Sequence, residues 1–179
     1  MDVSLTTKRL LLRQPKMADA ERLARYLDNF AVAGNLARVP YPYRLADAQA
    51  WIKSWRPDRP ASDTGFTIDL VGEGLIGHVG FHTDARGTQL GYWLAQPFWS
   101  RGLMSEAVEA AIGWYFGACD ASVLRSGAFY FNKASLAIQR KFGFVETGTS
   151  YLLCLARGEE VRHIDTELSR AAWTERRAA

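Results

Sequence analysis

Cysteine is scarce in this chain: Cys119 and Cys154 are the two among 179 residues. Two thiols this far apart match no metal-ligand spacing and build no disulfide framework. We therefore expect buried free thiols in a reducing compartment, and we predict no metal site.

Long apolar segments are also missing. The uninterrupted hydrophobic stretches span only a few residues, far fewer than the roughly 20 that a membrane-spanning helix needs. Residues 1–5 carry neither a basic region nor an apolar run, so we expect no signal peptide. These absences predict a cytoplasmic protein with no membrane partner.

Basic clusters with interleaved aromatic residues are absent as well, although the formal net charge is +3 and the pI is about 9.0. We therefore predict no nucleic-acid partner, and the mild positive charge suits a small anionic ligand. No internal repeat, low-complexity segment or linker interrupts the chain. We predict a single domain, residues 1–179, and the sequence leaves monomer and homodimer open.

What the chain does have is a succession of short strands and amphipathic helices. Helical spacing of apolar residues predicts helices at 17–30, 45–55, 102–116 and 132–143. Strands are predicted at 9–13, 64–71, 75–82, 88–95, 122–129, 144–149 and in a last hairpin that ends near 169. Three adjacent strands followed by βαβ connections indicate an α+β domain: a mixed sheet of about seven strands with helices on both faces.

The stretch 90–107, LGYWLAQPFWSRGLMSEA, is the most informative part of the chain. It is typical of a strand, a short loop ending in Arg101 and Gly102, and the start of a helix. Backbone N–H groups from Gly102 to Ser105 have no intrahelical acceptor in a first turn, and with the helix dipole they favour an anion such as a diphosphate. Taken alone, however, one glycine fits an ordinary strand-to-helix turn better.

A second block downstream, NKAS at 132–135 and FGF at 142–144, gives the first block a specific meaning. The order, content and spacing of the two blocks resemble the GNAT superfamily of acyl-CoA-dependent N-acyltransferases. Within it, the RimJ/RimL-like branch, which includes ribosomal-protein N-terminal acetyltransferases, is the most similar. Segments 7–13, 40–52 and 91–94 resemble the same branch, so the resemblance extends over nearly the whole chain.

The resemblance implies a GNAT fold, with a mostly antiparallel sheet splayed between its fourth and fifth strands. It also implies acetyl transfer from acetyl-CoA, as cosubstrate, to a primary amine. The pantetheine arm would pair with the splayed strand, and the loop after it would hold the pyrophosphate. The residues implied to bind acetyl-CoA are Trp93, Leu94, Ala95, Arg101, Gly102, Leu103, Met104, Ser105 and Asn132.

The same resemblance assigns the leaving group to Ser135, which would stabilise the departing thiolate. Two positions differ from the family pattern on this side of the reaction. Gln139 stands where many members have a tyrosine acid, which leaves Ser135 as the candidate donor. Met104 stands where the phosphate loop commonly has Gly or Ala, so its side chain has to turn away from the ligand.

A third departure concerns the base, because Thr88 and Gln89 occupy the stretch where relatives often have a glutamate. Strand alternation predicts that His78 and His82 lie on one side of a strand, and an imidazole has a suitable pKa for proton transfer. We predict His82 as the base, with His78 as the second choice.

The acceptor is less defined by the sequence. Tyr41 and Tyr43, on a proline-rich loop, are predicted to wall the acceptor pocket, whereas we expect His163 and Asp165 to be surface residues, with the substrate entrance as the alternative. A protein N-terminal amine is the predicted acceptor; an aminoglycoside, amino acid or polyamine, or a non-catalytic acyl-CoA-binding module, stays open. A Rossmann domain is disfavoured because no G-x-G-x-x-G follows the first strand.

Overall fold

The computed structural model describes residues 3–56 and 58–178. Residues 1 and 2, on which the signal-peptide expectation partly rests, lie outside the described residues, as do 57 and 179. The strands are β1 (Leu5–Thr6), β2 (Leu10–Arg13), β3 (Gly65–Leu70), β4 (Gly74–Asp84), β5 (Gly87–Leu94), β6 (Val123–Phe129), β7 (Val145–Cys154) and β8 (Glu159–Ser169). The helices are α1 (Ala20–Leu27), α2 (Phe30–Ala33), α3 (Leu45–Ser54), α4 (Leu103–Ala118), α5 (Lys133–Lys141) and α6 (Arg170–Ala178).

The eight strands form one sheet in the order β1-β2-β3-β4-β5-β6-β8-β7. Within the described part of the chain, β5 and β6 are the one parallel pair, and a single register pair, Gln89 with Arg125, joins them. On their other sides, β5 pairs with β4 and β6 pairs with β8, and both of these pairs are long antiparallel ladders. The sheet is therefore mostly antiparallel and splayed between β5 and β6, as predicted.

Helices cover both faces of the sheet. Successive side chains of β4 point to opposite faces, so the contacts of this strand show which helix packs on each face. Val79 and Phe81 join the core under α4, where Phe81 stacks on Tyr115 at a centroid distance of 4.8 Å. His78, the residue before Val79, points to the opposite side, where it faces α3 and contacts Trp51. The second face carries its own apolar cluster, built mainly from α1, α3 and Leu75. It is this second face that carries the large cleft described below.

Three elements differ from the predicted ones. The helix predicted at 17–30 ends at Leu27, because Asn29 adopts an extended conformation and caps the separate α2 by accepting a hydrogen bond from the Ala31 N–H. The two-residue β1 and the helix α6 were not predicted. Helix α6 buries Trp173 but is otherwise highly charged, so it gives little apolar periodicity.

Among the described residues, no helix is long and apolar enough to cross a membrane. In the same part of the chain, no group of three His, Cys, Asp or Glu side chains is placed to hold a metal ion. Both cysteines are free thiols; Cys154 is buried and Cys119 is half-buried.

Candidate active site

Beyond their single register pair, β5 and β6 separate, and the gap between them, called the parting below, exposes backbone groups of β5. The Leu90 carbonyl accepts from Ser126 Oγ on the β6 side, whereas the Ala95 N–H donates to Ile76 on the β4 side. Because backbone groups alternate along a strand, the N–H groups of Tyr92 and Leu94 also face the parting. Trp93 and Ala95 instead direct their backbone groups to β4. The open pairing groups are therefore those of alternate residues, not of the whole predicted segment.

The start of α4 lies beside this parting. Gly102 is its N-cap residue, with a φ of 71°, and provides no side-chain hydrogen bond to the first turn. A left-handed conformation of this kind favours glycine. The side chains of Leu103 and Met104 are buried in the main core, so Met104 turns inward as the family pattern requires. The backbone N–H groups of the first turn, up to Ser105, are left facing outward.

An ion-pair network braces the loop before α4. Arg9 donates from Nη1 to the Arg101 carbonyl at 3.0 Å and from Nε to Glu106 Oε2 at 2.7 Å. Thr7 Oγ1 donates to the other Glu106 oxygen. Burial raises the pKa of Glu106, but the hydrogen bonds from Thr7 and Arg9 outweigh it and hold the pKa below its ordinary value. The Arg101 guanidinium lies over Phe98, on the exposed side of the loop.

Asn132 and Ser135 come together at the start of α5. Asn132 is the N-cap residue, and its Oδ1 accepts from the Ser135 N–H at 3.1 Å, which leaves the two amide hydrogens free to bind a ligand. The Ser135 hydroxyl lies 2.9 Å from the Tyr92 hydroxyl and accepts from Gln139 Nε2 at 3.2 Å. Tyr92 thus brings a second hydroxyl, from β5, to the predicted proton donor.

Tyr92 lies within the family-like segment 91–94, but the sequence reasoning assigned it no role in the site. Burial raises the pKa of Tyr92, so its phenol is protonated at neutral pH and can donate a hydrogen bond. Gln139, which stands where many family members have a tyrosine acid, is buried. Its Nε2 donates to the Gly127 carbonyl, and its Oε1 accepts from Thr166 Oγ1 at 2.7 Å. It joins α5 to β6 and β8.

A cleft of about 820 Å³ extends from the α1–α3 face to the parting. Its lining includes Trp93, Asn132 and Ser135, and all three histidines of the chain, which are His78, His82 and His163. The predicted thiolate donor, Ser135, and all three imidazoles therefore line the same cleft.

The two predicted base candidates have different surroundings. His78 lies between Trp51 and Trp55, at ring distances of 5.1 and 5.7 Å, and its Nε2 is buried without a hydrogen-bond partner among the described residues. Burial lowers the pKa of His78 to about 4. His82 is 45% exposed, and its Nδ1 lies 3.3 Å from Asp63 Oδ1.

The two tyrosines that were predicted to line the acceptor pocket lie in different surroundings. Tyr43 is buried and lines the cleft; burial, followed by the charge of Asp47, raises the pKa of Tyr43 to about 12. Tyr41 is exposed, packs its ring edge-on against Phe30 and is not part of the cleft lining. The structure thus brings Tyr43, but not Tyr41, to the other candidate residues.

A sheet parted at one parallel pair, with an open helix start beside it, is the arrangement that the resemblance to acyl-CoA-dependent transferases implied. A family model described as "Acetyltransferase (GNAT) domain" matches residues 9–145, which is more than half of the chain. The chain belongs to the GNAT acetyltransferase family, and the predicted superfamily is confirmed.

Solved structures share the fold over nearly the full chain. Mycobacterium smegmatis RimJ in complex with CoA-disulfide superposes with a TM-score of 0.78 at 20% identity, covering 94% of this chain and 88% of its own. The ribosomal-protein-S5-alanine acetyltransferase of Vibrio fischeri gives 0.77 at 20% identity, with 96% and 99% covered. The microcin C7 self-immunity acetyltransferase MccE, in complex with acetyl-CoA and AMP, gives 0.77 at 18%, with 91% and 93% covered. No curated protein sequence matches significantly.

Proposed function

We propose that the protein is an N-acetyltransferase that moves an acetyl group from acetyl-CoA to a primary amine, with a protein N-terminal amine as the acceptor. The observation that carries the proposal is the parting of β5 from β6, which opens backbone hydrogen-bonding groups into a cleft that also holds Asn132 and Ser135. A direct attack in a ternary complex needs this arrangement, because both substrates have to meet at the parting.

The residues around the parting fit acetyl-CoA. The first-turn N–H groups of α4, together with its dipole and the exposed Arg101, suit a pyrophosphate. The open backbone groups of Tyr92 suit an amide of a pantetheine arm, with Trp93 and Ala95 keeping that strand fixed to β4. The Leu94 carbonyl accepts from Trp99 Nε1, so its N–H is the group that Leu94 offers to the parting. The free amide hydrogens of Asn132 suit a carbonyl of the same arm.

The chemistry asks for an oxyanion donor, a donor to the leaving sulfur and a base. The Leu94 N–H, directed into the parting, is the proposed oxyanion donor. Ser135 is the proposed donor to the thiolate, and Tyr92, protonated and 2.9 Å from it, replenishes that proton. His82 is the base that the sequence predicts, and His78 is the second choice.

The acceptor is proposed from two kinds of support. The chain shares its fold with a protein named for acetylating a ribosomal-protein alanine and with a RimJ. The cleft is wide, and tryptophans and paired charges such as Arg59–Asp63 line it, which suits the apolar and polar side chains of a peptide terminus. The two free cysteines support a cytoplasmic location, and monomer and homodimer are both compatible with the proposal.

Free-thiol release from acetyl-CoA tests the proposal. The purified protein is incubated with peptides of varied N-terminal residue, each paired with an N-terminally blocked copy, and with amino acids, polyamines and aminoglycosides. We expect thiol release with free peptide termini and none with blocked ones. If only small amines are acetylated, the acceptor is a small-molecule amine and not a protein N-terminus. Tight acetyl-CoA binding with no thiol release from any amine would show a non-catalytic binding module instead.

A further inference from the structure

We propose that His163, held by Asp165, is the group that accepts the proton of the attacking amine. This inference rests on the proposed acetyl transfer and assigns its base to a residue of β8, in place of the β4 histidines that the sequence predicts.

The His163 ring is held in one orientation. Its Nδ1 lies 2.9 Å from Asp165 Oδ1, and the same carboxylate oxygen accepts from Ser150 Oγ on β7 at 3.0 Å. A carboxylate only accepts, so Nδ1 carries the hydrogen, and Nε2 is left with its lone pair. Phe129 contacts the ring edge-on from β6. An oriented imidazole with a carboxylate behind it is the usual arrangement of a base in a catalytic site.

Nε2 of this ring lies at the edge of the parting. A Cβ built on Gly127 would lie 2.9 Å from His163 Nε2 and 2.1 Å from Cε1, so the ring rests directly on the bare Cα of β6. Nε2 makes no hydrogen bond to a described residue, and the residue lines the cleft. The Gly127 carbonyl accepts from Gln139 Nε2, which also contacts Ser135. One residue of β6 therefore separates the proposed base from the proposed donor network.

The strand registers place His163 at the reacting level of the sheet. Gln89 pairs with Arg125 across the parallel strands, so Trp93 is level with Phe129, and Phe129 pairs with His163. The Cα of His163 is therefore level with Trp93, and its ring rests on Gly127, which the same register places level with Gly91. The ring thus lies within two residues, along the strand, of the backbone where the thioester is proposed to bind.

The two β4 histidines are less suitable on the same criterion. His82 pairs with Gln89 at the closed end of the parting, four residues along β5 from Trp93 and so roughly 13 Å away. His78 pairs with Trp93 and is level with the thioester, but its ring is enclosed by Trp51 and Trp55, and its Nε2 is fully buried.

The step balances with these groups alone. The lone pair of the neutral amine forms the C–N bond to the thioester carbon, and the C–S bond breaks with its electron pair on sulfur. The proton lost from nitrogen goes to His163 Nε2, directly or through one water, and the sulfur takes a proton from Ser135, which Tyr92 backs. Solvent then restores both groups. The products are the acetamide and free CoA thiol.

Steady-state kinetics of four variants test the inference with the best acceptor from the amine panel. His163→Gln removes the base, and we expect kcat to fall about 100-fold, within the usual contribution of a general base, with acetyl-CoA affinity unchanged. The affinity is read from tryptophan fluorescence, since Trp93 lines the cleft. Arg162→Gln is the matched control: Arg162 is the neighbouring β8 residue, its side chain lies over Tyr130 on the other face, and we expect wild-type kinetics.

Asp165→Asn separates positioning from catalysis. Loss of the carboxylate leaves the imidazole in place but no longer oriented, so we expect kcat to fall, by less than in His163→Gln, while the KM for the acceptor and the affinity for acetyl-CoA stay unchanged. A kcat of His163→Gln within about threefold of wild type overturns the inference, as does a loss that follows His82→Asn and spares His163→Gln. A wild-type protein that acetylates no amine overturns the proposed function itself.

Discussion

The two ends of the proposed site are built in different ways. The phosphate end is one continuous segment, 90–107, and offers mainly backbone N–H groups at the start of α4. The acceptor end gathers side chains from distant elements: His78 and His82 from β4, Tyr43 from the loop before α3, and His163 from β8. An end that binds through backbone groups tolerates most side-chain changes, but it does not tolerate a negative charge that repels the pyrophosphate. An end that binds through side chains depends on each packed side chain.

The largest effect is expected from a charge at the phosphate end. Gly102→Asp places a carboxylate at the N-cap of α4, in a left-handed conformation that Asp and Asn tolerate better than most side chains do. The same carboxylate repels a pyrophosphate, so we expect acetyl-CoA affinity to fall about 100-fold, or about 2.7 kcal/mol. The left-handed backbone strains any side chain at this position, so thermal stability is expected to fall slightly, and equally for Asp and Asn. Isothermal titration calorimetry and a thermal melt measure the two quantities.

Gly102→Asn is the matched control, because it has the same shape and conformational tolerance without the charge. Its Cβ has room, since the nearest atom to that position is Arg9 Nη2 at 3.6 Å. We expect a loss of affinity of less than about fivefold. Equal affinities for the Asp and Asn variants would contradict a pyrophosphate at this helix start.

The same contrast explains what the sequence could predict. The phosphate end was predictable because its groups are contiguous and its glycine is visible, and the splayed sheet followed from the family resemblance. Tyr92 and His163 were not predictable as site residues, because the first depends on α5 lying over β5 and the second on the β6–β8 register. Tyr41 and Tyr43 were both predicted to line the pocket because they lie on one proline-rich loop, but only the backbone conformation decides which ring points inward.

The acceptor end can be probed through the titration of His78. Burial lowers the pKa of this imidazole from 6.5 to about 4, so the unfolded chain binds its proton first as the pH falls. The folded state therefore has the full benefit of the neutral ring above pH 6.5 and loses it as the pH falls from 6.5 to about 4. The Nε2 atom is buried whereas part of the residue still meets solvent, so we expect this loss to be roughly 2 kcal/mol.

His78→Phe keeps an aromatic ring between Trp51 and Trp55 but cannot titrate. Urea unfolding of wild type and variant between about pH 7 and pH 4 measures the difference, in which the other titrating groups cancel. We expect the variant to lose roughly 2 kcal/mol less than wild type across this range. Parallel stability curves would mean that His78 is protonated as easily in the folded protein as in the unfolded chain.

The smallest effect is expected at Asn132, where the two ends meet. Its Oδ1 caps α5, and its amide hydrogens are the proposed ligand for the pantetheine arm. Asn132→Ser retains an oxygen that can cap the helix but has no amide, so we expect acetyl-CoA affinity to fall roughly tenfold, or 1.4 kcal/mol, without loss of thermal stability. Asn132→Ala removes both, and we expect the same loss of affinity together with about 1 kcal/mol of stability. Wild-type affinity in Asn132→Ser would assign this asparagine to the helix cap alone.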